Sequence, residues 1–307
     1  MFRKILRKEQ GKLKSWLWGN LTNLGYSCKQ GDGWLYKAGT FPVLLVAHLD
    51  TVHKETPRKI VEKKGKLSSP QGIGGDDRCG VYMILEIIKK YDCPVLFLED
   101  EEIGCVGAEK FIKTKVCKKL RGSFNYIIEL DRKGKTDAVF YELDNAEFED
   151  FITEKYWKSD WGSFTDICVI APELDCAAVN LSCGYYKQHT KEEYIVLAEM
   201  EQNIKEVCKL LARTDEEQKF EWKELPISYK GSAYDWYKYG YGNDYGDVFW
   251  IGYYDENYCE YYTSVEAFTE EEAIGLFVME YVDIPFKNVF CVERETELWG
   301  EEKCASK

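Results

Sequence analysis

The run Phe41-Pro-Val-Leu-Leu-Val-Ala-His48-Leu-Asp50-Thr51-Val52 is apolar up to Ala47 and then ends on a histidine and an aspartate. A strand apolar on both faces belongs in the interior of a parallel sheet, whereas a half-exposed strand would alternate. Similar short runs recur outward from it. Trp34–Lys37 precedes it, and Pro94–Leu98, Asn125–Leu130 and Ala177–Leu181 follow as further core strands. Between them, residues 59–67 read as a hairpin around Lys64-Gly65. Val81, Ile84, Leu85 and Ile88 mark a helix starting just after Gly80, and a short helix covers Ala108–Thr114. A long helix carries Met200, Ile204, Val207 and Leu211 on one face. Strands alternating with helices over residues 1–213 predict an α/β fold, a layered sandwich around a mostly parallel mixed sheet.

Composition narrows the class. The chain has 307 residues, 45% of them hydrophobic, which is ordinary for a globular protein. Its 41 basic and 54 acidic residues give a net charge of −13, the opposite of a nucleic-acid footprint. No apolar run approaches the roughly 20 residues that span a bilayer. Near the N-terminus Arg3, Lys4, Arg7, Lys8, Lys12 and Lys14 are basic, yet no apolar core follows as in a signal peptide. Leu13, Trp16, Leu17, Leu21 and Leu24 instead predict an amphipathic helix with a basic solvent face. The 12 cysteines are scattered, with no CxxC pair, and several (Cys93, Cys168, Cys183, Cys291) lie in apolar runs. They read as free thiols, which places the protein in the cytoplasm, and not as zinc ligands.

Composition shifts after Arg213. Residues 214–307 contain 22 aromatic residues in 94, against 15% overall. Strands at Val248–Asp255, Tyr258–Ala267 and Val289–Glu293 and a helix from Glu270 to Tyr281 form a ββαβ pattern, preceded by a Tyr/Gly-rich stretch from Tyr234 to Tyr245. The expected division is a catalytic domain at 1–213 and a small α+β module at 214–307. Aromatic residues on such a sheet are more often core than ligand platform.

The chemistry is concentrated in a few clusters. His48 and Asp50 lie two residues apart and share one face, so the carboxylate can orient the imidazole. A core histidine satisfied by its neighbour would look the same. Gly72-Ile-Gly-Gly-Asp76-Asp77-Arg-Cys-Gly80 opens onto a helix, where an aspartate also serves as an ordinary cap. Glu99-Asp100-Glu101-Glu102 follows an apolar strand directly, and four adjacent carboxylates repel unless solvated or bound to cations. Asp131 ends the run Ile127-Ile-Glu-Leu-Asp131, and His189-Thr-Lys-Glu-Glu193 leads toward the long helix. Each cluster has a structural explanation taken singly. Together they set histidine and carboxylate groups at the carboxyl ends of successive strands, where open α/β sheets build their sites, and this favours a metal site.

These motifs, in this order, resemble the co-catalytic di-zinc exopeptidases of metallopeptidase clan MH, a family that includes peptidase T, carboxypeptidase G and the glutamyl aminopeptidases. The match runs over residues 30–213. The resemblance implies that Asp76 bridges two divalent ions, with its peptide bond to Asp77 cis. His48 and Asp131 would complete one zinc site, and Glu102 and His189 the other; cobalt or manganese are alternatives to zinc. Asp50 would orient His48, and Glu101 would act as general base. His53 matches no functional position and reads as structural.

Only 57 residues separate Asp131 from His189, whereas many relatives insert a lid domain there. The resemblance to lidless members implies an aminopeptidase acting on short peptides. A carboxypeptidase or a deacylase of N-acyl amino acids would use the same core, and a non-catalytic binding protein on the same scaffold is a third reading. Nucleic-acid and membrane partners are not expected.

Overall fold

The computed structural model describes residues 1–141, 143–162, 164–215, 217–223, 247–254, 260–267, 273, 274, 277 and 289–294. At the N-terminus a short helix α1 (Phe2–Leu6) precedes α2 (Gln10–Asn23). Leu13, Leu17 and Leu21 of α2 are fully buried, as their spacing predicts. Leu24 is 73% exposed, because α2 stops at Asn23 and Gly25 turns the chain at φ +87°.

A hairpin of β1 (Cys28–Gly31) and β2 (Trp34–Lys37) leads to β3 (Val43–His48), and every residue of β3 is buried. The hairpin expected around Lys64-Gly65 is formed by β4 (Val61–Lys63) and β5 (Lys66–Ser68). Helix α3 (Gly75–Ile87) starts before Gly80 and is kinked near its start, where Asp76 and Asp77 have non-helical dihedral angles. There follow β6 (Val95–Leu98), α4 (Val106–Ile112), α5 (Lys115–Leu120) and β7 (Tyr126–Arg132). A stretch with no strong periodicity forms β8 (Asp137–Val139), α6 (Ala146–Thr153), β9 (Lys158–Asp160) and α7 (Asp166–Leu174). Then come β10 (Ala178–Ser182), β11 (Tyr185–Tyr186), β12 (Tyr194–Val196) and α8 (Leu197–Arg213).

Eight strands make one mixed sheet in the order β1-β2-β6-β3-β7-β10-β8-β9. Its centre is parallel: β3 lies between β6 and β7, and β7 continues to β10. Antiparallel pairs join β1 to β2, β2 to β6, and β8 to β10. Alternate residues of β3 face opposite layers. Val43, Leu45 and Ala47 pack with α1, α2, α3, α6 and α8, while Leu44 and Val46 pack with α4, α5 and α7. The result is a three-layer sandwich. Each fully buried Leu or Val of β3 contributes roughly 1.5–3 kcal/mol, which fixes this strand as the axis from which the site is built. Strands β11, β12, β5 and β4 form a second, smaller sheet.

Met1–Trp161 with Thr165–Glu224 form one compact unit, and Gly162–Phe164 with Leu225–Lys307 the other. In the second unit β13 (Asp247–Tyr254) pairs antiparallel with β14 (Glu260–Ala267) and with β15 (Val289–Arg294). Phe249, Ile251 and Tyr253 alternate along β13 into a small core with Val265, Ala273 and Phe277. The expected Tyr/Gly-rich stretch lies outside the described residues, as does most of the expected helix.

Nine cysteines among the described residues are in no disulfide, and Cys79, Cys93, Cys105, Cys117, Cys176 and Cys183 are buried. Cys168 sits on helix α7, not on a strand. Burial pushes the Cys93 thiol up to about 12 and the Cys117 thiol up to about 11. Among the described residues no helix is long and apolar enough to cross a membrane.

Candidate active site

Strand β3 delivers His48 as its last residue, and its parallel neighbours deliver the rest from the same edge. Asp131 lies near the end of β7, and the loop after β6 carries Glu101 and Glu102. Asp76 enters from the start of α3, through a cis peptide bond to Asp77. His189 comes from the loop between β11 and β12. Two glycines allow the close approach. A Cβ on Gly80 would stand 1.7 Å from the Leu130 carbonyl oxygen, and one on Gly75 would stand 2.8 Å from the Tyr185 Cβ.

His48, Asp50, Asp76, Glu102, Asp131 and His189 come together. His48 Nε2 lies 3.0 Å from Asp76 Oδ1 and 3.3 Å from Asp131 Oδ1. His189 Nε2 lies 3.2 Å from Asp76 Oδ2 and 3.0 Å from Glu102 Oε2. Asp76 therefore turns one oxygen to each imidazole. On the far side of the His48 ring, Nδ1 is 3.2 Å from Asp50 Oδ1. The Asp50 oxygens also accept the Glu101 N–H (3.1 Å) and the Glu102 N–H (3.0 Å), tying the loop after β6 to the end of β3.

Two trios, His48 with Asp76 and Glu102, and His48 with Asp77 and Asp131, bring their donor atoms within 4.8 Å of one another. Asp77 is committed elsewhere: its oxygens accept the His48 N–H (3.2 Å) and the Gly80 N–H (2.9 Å). That leaves Asp76 as the carboxylate between the two imidazoles.

The electrostatics match the geometry. Burial would lower the His48 imidazole, but Asp131, Asp50 and Asp76 outweigh it and hold it well above its ordinary value. Burial raises Asp131 to about 7, with His48 opposing and Asp76 reinforcing. Burial likewise raises Glu102, as does Asp76, and Glu102 Oε1 is buried without a hydrogen-bond partner. Burial lifts Glu101 well above the carboxylate range, with His48 opposing and Asp131, Asp166 and Glu102 adding to the rise. Such a crowd of buried acids is relieved by cations, and imidazole nitrogen with carboxylate oxygen is a donor set suited to zinc. The residues fit a metal centre.

Several supporting residues escape a sequence reading. Glu193 is fully buried and accepts the Asp76 N–H and the Gly74 N–H, both at 2.9 Å. His53, read from sequence as structural, lies 2.8 Å from the same carboxylate. The Tyr185 hydroxyl donates to the Asp131 carbonyl (2.9 Å), and Asn180 Oδ1 accepts the Asp131 N–H (3.0 Å). Thr165 Oγ1 donates to Asp131 Oδ2 (3.3 Å). Cys105 Sγ lies 3.8 Å from Glu101 Oε1. Of these only Glu193 stands inside a motif visible in the sequence.

Residues 35–160 match Peptidase family M28, a stretch that holds His48, Asp76, Glu101, Glu102 and Asp131. No curated protein matches the sequence. The fold is similar to that of the aminopeptidase PepT from Bacillus cereus ATCC 10987, at a TM-score of 0.56 and 15% identity over 68% of this chain and 96% of that one. A tripeptidase from Staphylococcus aureus subsp. aureus mu50 gives 0.55 and 14%, over 69% and 97%. An aminopeptidase from the archaeon Desulfurococcus kamchatkensis gives 0.51 and 14%, over 74% and 97%. The chain thus shares the fold of these peptidases. Together with the M28 match over residues 35–160, this fold supports a hydrolase acting on peptide bonds, and its His, Asp and Glu cluster could hold a metal ion.

Proposed function

We propose that the protein is a di-metal aminopeptidase that removes N-terminal residues from short peptides. The observation that carries this reading is Asp76, with one oxygen 3.0 Å from His48 Nε2 and the other 3.2 Å from His189 Nε2. His48, Asp131 and Asp76 would hold one ion, and Glu102, His189 and Asp76 the second, with zinc favoured by the donor set. Two such ions supply Lewis acidity toward the scissile carbonyl and lower the pKa of water.

The chain's own groups do the proton transfers. Glu101 takes a proton from the attacking water as its oxygen bonds to the carbonyl carbon. It then returns that proton to the leaving amine as the C–N bond breaks. Burial raises its carboxyl, which favours its holding the proton between the two halves of that exchange. Asp50 fixes the His48 ring and holds the loop that carries Glu101. Every one of these residues falls within residues 1–213, the catalytic domain in this reading; residues 214–307 are an accessory module. The free buried thiols support a reducing compartment, the cytoplasm.

The test is a mixed peptide library digested by the zinc-loaded protein and read by mass spectrometry, with Glu101→Ala as control. Loss of single N-terminal residues by the wild type alone is the expected result. C-terminal trimming, or cleavage restricted to N-acylated members, would replace the aminopeptidase reading by a carboxypeptidase or deacylase. No cleavage with two ions bound would overturn it.

A further inference from the structure

A cavity of about 420 Å³ lies beside the candidate site, within the size range of small-ligand pockets. Asp50 and Arg78 line it, together with Gln10, Thr51, Lys54 and Ile73. Asp50 is the same carboxylate that orients His48, so the cavity borders the catalytic cluster directly.

Arg78 is the unexplained group. Its side chain is 3% exposed, and neither Nε nor Nη1 has a hydrogen-bond partner. Burying guanidinium nitrogens without partners is costly, so such a group calls for a ligand or ordered water. The acids nearby do not fill that role. Asp50 is spent on His48 and on the N–H groups of Glu101 and Glu102, and Asp77 on those of His48 and Gly80. The remaining acids on the wall also have partners: Glu55 pairs with Arg58 and Glu9 with Lys12. Among the described residues Arg78 and Lys54 are thus the lining cations without an ion pair, on a wall that also includes the apolar Ile73.

We propose that this cavity is a carboxylate-binding site, with Arg78 as the residue that recognises the anion. A guanidinium presents parallel N–H donors matched to a carboxylate, and a desolvated one binds it more strongly than an exposed lysine does. The ligand class is the carboxylate of a short peptide, from its C-terminus or an acidic side chain. This rests on the peptidase reading, and it makes peptide length and charge, not only the N-terminal residue, what the enzyme selects.

The test is a nuclear magnetic resonance titration of the zinc-loaded protein at low temperature with three probes: triglycine, triglycinamide, and the amide of Gly-Glu-Gly. Shifts report binding, and product resonances report hydrolysis in the same sample. Triglycine is expected to bind about tenfold or more tighter than triglycinamide, and Arg78→Met to abolish that difference. Arg78→Lys, which keeps the charge without the planar fork, should bind triglycine at an intermediate level and carries the test should Arg78→Met fail to fold. Tight binding of the Gly-Glu-Gly amide would assign the anion to the side chain and still support the site. Equal affinity of the wild type for all three probes would overturn the proposal, as would a preference for triglycine that survives in Arg78→Met, a sign that water alone solvates Arg78. Hydrolysis without discrimination would sink the carboxylate site and leave the peptidase reading standing. Discrimination without hydrolysis would do the reverse.

Discussion

Glu193 offers the sharpest test of how the site is held together. It meets no side chain assigned to catalysis, yet it grips the backbone of the loop that carries Asp76. Oε1 accepts the Asp76 N–H at 2.9 Å, and Oε2 accepts the Gly74 N–H at 2.9 Å with His53 Nε2 2.8 Å away. All of this takes place at zero exposure. Glu193→Ala strands these donors in the interior, and loss of one partner from a buried charged network costs about 3–5 kcal/mol. Glu193→Gln keeps one oxygen but turns an amide N–H₂ toward an N–H, at a cost of about 1–3 kcal/mol. Urea unfolding of the metal-free variants reads these differences as a shift in midpoint at constant slope. Because Asp76 rides on the same loop, zinc affinity measured against a competing chelator should also fall, by about 10–100-fold as for other outer-sphere partners. If Glu193→Ala stayed within about 0.5 kcal/mol of the wild type and bound zinc equally well, the loop would be held by something else, and the positioning argument would fail.

Other outcomes follow from the same geometry. Glu101→Ala should keep its fold and both ions but lose about 10²–10⁴-fold in turnover, measured as kcat on a dipeptide substrate with metal content checked by mass spectrometry; an active variant would refute the base assignment. Asp76→Ala should lose both ions together in equilibrium dialysis, and retention of one ion at full affinity would show that no oxygen is shared. Asp92 provides a pH test away from the site. Burial pushes its carboxyl up, but the Lys37 ammonium and the Thr40 N–H and hydroxyl outweigh that and hold it below its ordinary value. A lowered folded-state value means stabilisation that is present above about pH 4, the unfolded value, and lost as pH falls through the folded one. Asp92→Asn should therefore be less stable than the wild type at pH 7, with the gap closing in acid; a gap that is constant with pH would show that ionisation plays no part.

What could be read in the sequence and what could not divides along physical lines. His48, Glu102 and Asp131 end or follow apolar runs, and an interior strand of a parallel sheet announces itself by hydrophobicity alone. Their convergence then follows from topology, because β6, β3 and β7 run side by side in one direction. Elements without that signal were illegible. Strand β9 is Lys158-Ser-Asp160, exposed at every position, and it exists only through pairing with β8. The partners of Asp131 (Asn180, Tyr185 and Thr165) bind its backbone or its oxygens from 34 to 54 residues away, and no spacing rule reveals such a contact. Leu24 kept the helical period but fell past the end of α2, where Gly25 ended the helix.

The buried thiols turn the folded chain into its own clock of opening. Cys79 stands on α3, Cys93 ahead of β6, Cys117 on α5, Cys176 ahead of β10 and Cys183 just past its end. Burial raises all five, so an alkylating reagent that attacks only the thiolate meets almost none of it in the closed state. Reaction has to wait for local or global exposure, where a thiol returns to roughly 8.5. The order in which these cysteines become labelled under native conditions would thus rank the layers of the sandwich by how readily each one unlocks.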